Sequence, residues 1–292
     1  MGDNMYRIFS DSGSDLSSEM AAQIGVEILP LHSVMTDAKG TTTIDGTKLP
    51  LPEFYQLLRE RYSAKTAAVN SDAFSEAFRP VLEAGEDVIY LGLSSGLSTT
   101  VNAARIAAED LVAEYPDRTV IVVDTLAASL GEGLMVYLAA KKRDGGASIE
   151  ELHSYLLEIR PHLCHWFTVD DLFFLKRGGR VSAATALVGT ALGIKPIMHV
   201  DDEGHLVKVE TARGRRKSVT ALFEKMVNAV VDPDGQAVFI SHGDCREDAE
   251  YLASLIREKY AVDTVIIDYV GQVIGTHSGP GTLALFYLGS QR

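Results

Sequence analysis

This sequence predicts two α/β units in series: a parallel-sheet α/β domain over residues 1–162 and an α+β domain over residues 163–292. Three observations carry that architecture. The first half alternates short apolar runs with stretches of helical spacing, as βαβ units around a parallel sheet do. The second half opens on a hairpin pattern, two apolar runs joined by Asp201-Asp-Glu-Gly204. A chain of 292 residues also exceeds what one hydrophobic core commonly supports.

Residues 6–10 read as a strand ending in Asp11-Ser-Gly-Ser-Asp15, a polar turn suited to capping a helix from Leu16. A second strand follows over 26–31, and helical spacing marks 52–61 and 73–83. Residues 88–93, VIYLGL, read as a short buried strand. The loop Ser94-Ser-Gly-Leu-Ser98 and a helix to about Tyr115 come next. A strand over 120–123 and a helix over 130–142 complete the first half. In the second half the hairpin strands cover 197–200 and 206–211. A helix over 217–230, a strand over 238–241, a helix over 246–259 and a strand over 264–269 follow. The Ala- and Gly-rich run 183–194 stops at Lys195-Pro196 and predicts a buried helix, too short to span a membrane.

A hydrophobic content of 46% with 23% charged residues is that of a globular protein in water. The N-terminus shows no apolar secretory core, which makes the cytoplasm the default location. Two cysteines without a CxxC pair fit a reducing compartment. His162-Leu-Cys-His165 is one short cluster without a second half, so no metal site is expected there. A net charge of −13 argues against a nucleic-acid binder. The basic residues are nevertheless uneven. Lys176, Arg177 and Arg180 with Arg213, Arg215, Arg216 and Lys217 form two clusters that read either as a solvated face or as a docking or phosphate-contact patch.

In parallel sheets, ligands collect where strand carboxyl ends meet helix N-termini. Three such ends carry hydroxyls: Ser12 and Ser14; Ser94, Ser95 and Ser98; and Thr125. Helix capping accounts for most serines in these places, with Ser98 or Thr99 as the cap of the helix to Tyr115. Ser94 and Ser95 are left without a structural task and become ligand candidates. His277 lies in Gly275-Thr-His-Ser-Gly-Pro-Gly281, whose three glycines and proline predict a tight, fixed backbone path rather than a helix interior.

Neither a Walker loop nor a GxGxxG after a strand is present. The GxSxG elbow of a serine hydrolase is missing too, since Gly92-Leu-Ser-Ser-Gly96 spaces its serines differently. An acyl esterase using Ser95 and His277 remains an alternative, as does a regulatory interaction protein without lipid. Hydroxyls and an imidazole without a metal suit an acidic head group better, because hydroxyl donors at a helix N-terminus offset the cost of burying a carboxylate.

Taken in order, several segments carry a family likeness. They are Asp11-Ser-Gly-Ser-Asp15, Lys65-Thr66, Leu93-Ser-Ser-Gly-Leu-Ser98 with Thr100, and Val123-Asp124 followed by Ser129-Leu-Gly-Glu-Gly133. Asp171-Leu-Phe-Phe-Leu-Lys-Arg-Gly-Gly-Arg180-Val-Ser182, Gly193-Ile-Lys-Pro-Ile197, Arg213-Gly-Arg-Arg-Lys217 and Ile274-Gly-Thr-His-Ser-Gly-Pro-Gly-Thr282 complete the set. With these, the chain resembles the DegV family of bacterial fatty-acid-binding proteins throughout its length.

The resemblance implies a two-domain fold with a long-chain fatty acid buried between the domains. Thr66, Ser94, Ser95 and His277 would meet its carboxylate. It further implies a substrate-presenting subunit of fatty acid kinase, not an enzyme on its own. A separate ATP-binding subunit would bring ATP and magnesium and form the acyl phosphate. Arg180 and Arg213 would then contact that partner or the transferred phosphate. No cofactor of its own, no nucleic acid and no stable membrane insertion are implied. Two departures stand out. Ala67-Ala68-Val69 replaces the family's usual Ser-Gln-Pro, which removes a hydroxyl near the head group, and Thr99 stands where glycine is common.

Overall fold

The computed structural model describes residues 6–182 and 193–292. The first strand, β1 (Tyr6–Asp11), leads through a 3-10 turn at Ser12–Ser14 to α1 (Ser18–Gln23) and β2 (Val26–Leu29). The helix begins later than the polar turn suggests, because Ser17 rather than Asp15 accepts the capping bond, from the Met20 amide. The expected strand over 26–31 divides at Pro30. Its continuation, β3 (His32–Thr36), joins a different sheet with β4 (Thr43–Asp45) and β5 (Ser63–Ala67), and α2 (Leu51–Arg59) lies between the last two. The elements α3 (Ser71–Glu83), β6 (Asp87–Gly92), α4 (Thr100–Glu114), β7 (Val120–Asp124), α5 (Leu130–Asp144) and α6 (Ile149–Ile159) follow.

After residue 162 the chain runs through β8 (Leu163–Thr168), α7 (Phe173–Arg177), β9 (Ile194–Val200), β10 (Leu206–Arg213), α8 (Arg215–Ala229) and β11 (Ala237–His242). It ends with α9 (Arg246–Lys259), β12 (Thr264–Tyr269), α10 (Gln272–Ser278) and β13 (Leu283–Leu288). The buried helix expected over 183–194 falls mainly on 183–192, outside the described residues; Ile194 already belongs to β9.

Among the described residues the strands form three sheets. The first is wholly parallel, in the order β2-β1-β6-β7. The second is a small antiparallel sheet, β4-β3-β5. The third is six-stranded, β10-β9-β8-β13-β11-β12, antiparallel except for the β11–β12 pair. This is the mixed α/β architecture read from the sequence, with the β9–β10 hairpin in the expected place.

Burial explains the layering. Every residue of β6 is buried, as a central parallel strand covered on both faces requires. Ile89 and Leu91 face α5, while Val88 and Tyr90 face α3 and α4. Helix α5 is buried from Leu130 to Val136 because it is packed on both sides. Its apolar layer joins Ile8 and Ile89 of the parallel sheet to Phe167, Phe239 and Phe286 of the six-stranded one. The period-2 alternation of β8 sends Cys164 and Trp166 toward α8 and α9, and Leu163, His165 and Phe167 toward α5.

Candidate functional site

The inner face of the six-stranded sheet, the loops after β6 and β7, and α10 enclose a cavity of about 420 Å³. Small-molecule sites commonly measure about 300–1,000 Å³. Most of its wall is apolar: Leu31 and Leu93 from the parallel sheet side, Phe167, Ala284 and Phe286 from the sheet floor, Val273 and Ile274 from α10, and Val200 and Leu206 from the hairpin. Polar groups sit in two sets. Thr66, Ser95, Thr99, Arg180 and His277 are exposed or half-buried and form the rim. Ser129, His165, Ser241, Ser278 and Thr282 are buried within.

The rim is assembled from distant segments by a pair of side-by-side contacts. Thr66 and Ser33 are register partners on β5 and β3. Ser33 Oγ lies 3.0 Å from Thr276 Oγ1, and Thr66 Oγ1 lies 2.8 Å from His277 Nε2. Helix α10 is therefore bolted to the small sheet at two successive residues. The Tyr55 hydroxyl donates to the Val270 carbonyl at 2.7 Å and fixes the approach to that helix.

His277 thus lies in the last turn of a helix, which corrects the loop expected from its glycines. Gly275 is there for packing, since a Cβ would stand 2.6 Å from the Tyr55 hydroxyl. Gly279, with φ of +78°, and Pro280 then stop the helix. Gly178 presses its Cα against the imidazole, and any Cβ there would overlap Nδ1.

Burial, and then the charges of Arg180 and Arg177, lower the His277 pKa to about 4. The ring is therefore neutral at physiological pH. Its Nδ1 has no hydrogen-bond partner among the described residues. A proton on Nε2 leaves no buried N–H unpaired, so Nε2 donates to Thr66 Oγ1 and frees the threonine O–H to donate elsewhere. The positive charge at the rim comes from Arg180. Its guanidinium donates to the carbonyls of Leu97, at 2.9 and 3.2 Å, and Gly178.

The serine pair divides its work. Ser95 is exposed, lines the cavity and is held by its amide, which donates to Asp124 Oδ1 at 3.2 Å. Ser94 does have a structural task, contrary to the sequence reading. Its fully buried hydroxyl donates to the Gly204 carbonyl at 2.9 Å and accepts from the Gly96 amide, tying the loop to the hairpin turn. Thr99 takes the N-cap position of α4 without a side-chain cap bond, while Ser98 Oγ accepts from the Thr100 amide.

Ser95 makes no hydrogen bond with His277, and no carboxylate engages Nδ1, so the described residues hold no nucleophile–base–acid relay here. Of the two basic clusters, only Arg180 reaches the cavity. Arg213 is exposed at the end of β10, and Arg215 is engaged by Asp248 and Asp170. Ala67 is exposed on the face of β5 opposite Thr66, and Ala68 lines the rim. Among the described residues no cluster of three or more His, Cys, Asp or Glu is arranged for a metal, and no helix is long and apolar enough to cross a membrane.

Sequence reasoning missed the inner polar set. Ser129 Oγ lies 2.5 Å from Asp15 Oδ2 and 3.0 Å from Ser241 Oγ, a chain running from a buried carboxyl to the cavity wall. Burial raises the Asp15 pKa to about 8 despite the Ser129 and Gly271 donors. The strained Ser129 backbone, φ 57° and ψ −151°, marks the spot. In the sequence its position after β7 and its place at the head of Ser129-Leu-Gly-Glu-Gly133 were the signals that could have drawn notice.

Comparison with known proteins gives a consistent result. Residues 5–290 match a family model described as an uncharacterised protein of the DegV family. A DegV domain-containing protein of Clostridium perfringens is 45% identical over 98% of both chains. Among solved structures, a fatty-acid-binding DegV family protein of Thermus thermophilus superposes with a TM-score of 0.86 at 29% identity, covering 98% of this chain and 99% of that one. DegV of Bacillus subtilis, described as a fatty acid binding protein, gives 0.83 at 27% identity over 98% and 99%.

Proposed function

This chain belongs to the DegV family, and from that premise we propose that it binds a long-chain fatty acid in the cavity and presents the carboxylate to a separate kinase subunit. One observation carries the reading: an apolar cavity whose solvent-facing end gathers Thr66, Ser95, Arg180 and a neutral His277. The freed Thr66 O–H and the Ser95 hydroxyl donate to the carboxylate, and Arg180 supplies the opposing charge. Ser94 contributes by holding the Ser95 loop. The first turn of α4, lacking a side-chain cap, adds a favourable dipole at the same end.

The energetics suit a lipid. A dozen methylenes removed from water contribute roughly 10 kcal/mol gross, at about 0.8 kcal/mol each. Ordering of the chain and head-group desolvation offset part of this. The solved relatives described as fatty-acid-binding support the ligand class. The family likeness in the sequence supports the partner, a cytoplasmic ATP-binding subunit that transfers the γ-phosphoryl group to the presented carboxylate. Exposed Arg213 is assigned to that docking.

Two assays test the two halves. Isothermal titration with C14–C18 acids should give saturable, one-to-one binding. With ATP, magnesium and the kinase subunit present, acyl phosphate should form, and Arg213→Ala should lower that yield while leaving the acid Kd unchanged. A Kd that weakens as much as the yield contradicts the docking role.

A further inference from the structure

Among the described residues, His165 and Ser278 are buried polar side chains that line the cavity with their hydrogen-bonding atoms idle, and His165 brings two such atoms. His165 is 1% exposed and faces α5 from β8. The ring stands edge-on to Phe286, 5.5 Å between centroids, and packs against the Cα of Gly131, where any Cβ would overlap it. Neither ring nitrogen makes a hydrogen bond of good geometry among the described residues; the Leu163 backbone approaches the ring and only slightly favours its charged form. Burial lowers its pKa well below the ordinary histidine value, so the ring is neutral and offers one N–H donor and one acceptor.

This arrangement has a consequence for the ligand. Ser129 and Ser241 are occupied by their chain to Asp15 and are bonded to each other, not to the imidazole. Water can serve the ring while the cavity is wet. A plain alkyl chain displaces that water and returns nothing, which weakens affinity about 5- to 150-fold for each polar group so stranded. A wall meant only for saturated hydrocarbon would carry leucine or phenylalanine at this position.

We propose, resting on the fatty-acid reading above, that His165 is a second recognition point, taking a hydroxyl or keto oxygen carried part-way along the acyl chain. Oxygenated long-chain acids are then a favoured ligand class. A chain hydroxyl both donates and accepts, so it can pair with either tautomer of the ring.

The test compares stearic acid with a series of monohydroxystearic acids, the hydroxyl moved stepwise along the chain, against wild type, His165→Phe and His165→Leu. One isomer, or two adjacent ones, should bind wild type about tenfold more tightly than they bind either variant. Stearic acid should bind both variants at least as tightly as wild type, which also reports that they fold. In a parallel nitrogen NMR titration of wild type, the preferred isomer should leave the His165 ring signals at hydrogen-bonded positions, whereas stearic acid should move them toward those of an unbonded neutral imidazole. Stearic acid binding with no isomer discriminated, or His165 signals that are the same with every isomer as with stearic acid, overturns the oxygen subsite alone. Failure of wild type to bind any acid in the series overturns the fatty-acid reading and this inference together.

Discussion

Replacing Thr66 by valine removes one oxygen from the rim and nearly preserves the shape of the side chain. Two losses follow from the structure. The 2.8 Å bond to His277 Nε2 disappears, leaving both imidazole nitrogens unpaired. The bound carboxylate also loses a donor. A hydrogen bond to a charged group contributes about 1.5–3 kcal/mol, so the Kd of a long-chain acid should rise roughly 10- to 150-fold. The matching long-chain alcohol, whose head is neutral, should lose only about 0.5–1.5 kcal/mol, or roughly 2- to 13-fold. Displacement of a fluorescent fatty acid by acid and alcohol in parallel reads both numbers. An acid Kd unchanged within twofold refutes the head-group assignment. Equal losses for acid and alcohol refute it too, because they mean that Thr66 acts through wall packing and not on charge.

Other perturbations probe the rest of the account. Gly178→Ala forces a methyl group into His277 Nδ1 and should weaken acid binding about as much as Thr66→Val, with little added loss in the double variant, because both act through one contact; fully additive losses contradict this. Ala284→Phe puts a ring on the cavity floor and should abolish binding of C16 acids while sparing shorter ones, as competition assays over a chain-length series will show. Asp15→Asn addresses stability. The Asp15 pKa is raised to about 8 in the folded chain, so the native state holds a proton that the unfolded state releases near pH 4. Stability from this group is present at low pH and lost as pH rises toward 8. Wild-type Tm should fall between pH 6 and 8, and the variant should fall less; identical slopes contradict the assignment. Asp11 and Glu132 are buried with raised pKa values as well, so both proteins keep a residual slope.

Much of the frame was legible in the sequence because burial and pattern agree there. VIYLGL reads as a short buried strand and Asp201-Asp-Glu-Gly204 as a hairpin turn, and the structure has both. The small sheet was not legible. Its strands are three to five residues long and mostly polar, and Ser33 finds Thr66 across a long stretch of chain. The glycines around His277 pointed to a loop because a glycine needed for close packing, as Gly275 is against Tyr55, looks the same in sequence as one needed for a turn. Ser94 and Ser95 were indistinguishable until the hairpin turn arrived to claim one of them. Thr66, Ser95 and His277 were grouped by family likeness, not by spacing, since 211 residues separate Thr66 from His277. His165 was visible only as part of His162-Leu-Cys-His165, although alternation along β8 would have turned it to the face opposite Cys164.

Organic extraction of the protein purified from bacterial cells, with mass spectrometry of the extract and of the native protein before and after, reaches the central claim most directly. The account predicts about one long-chain acid per chain, absent from Ala284→Phe prepared in the same way. A wild-type protein that yields no acid, and takes up none when incubated with C14–C18 acids, would contradict it.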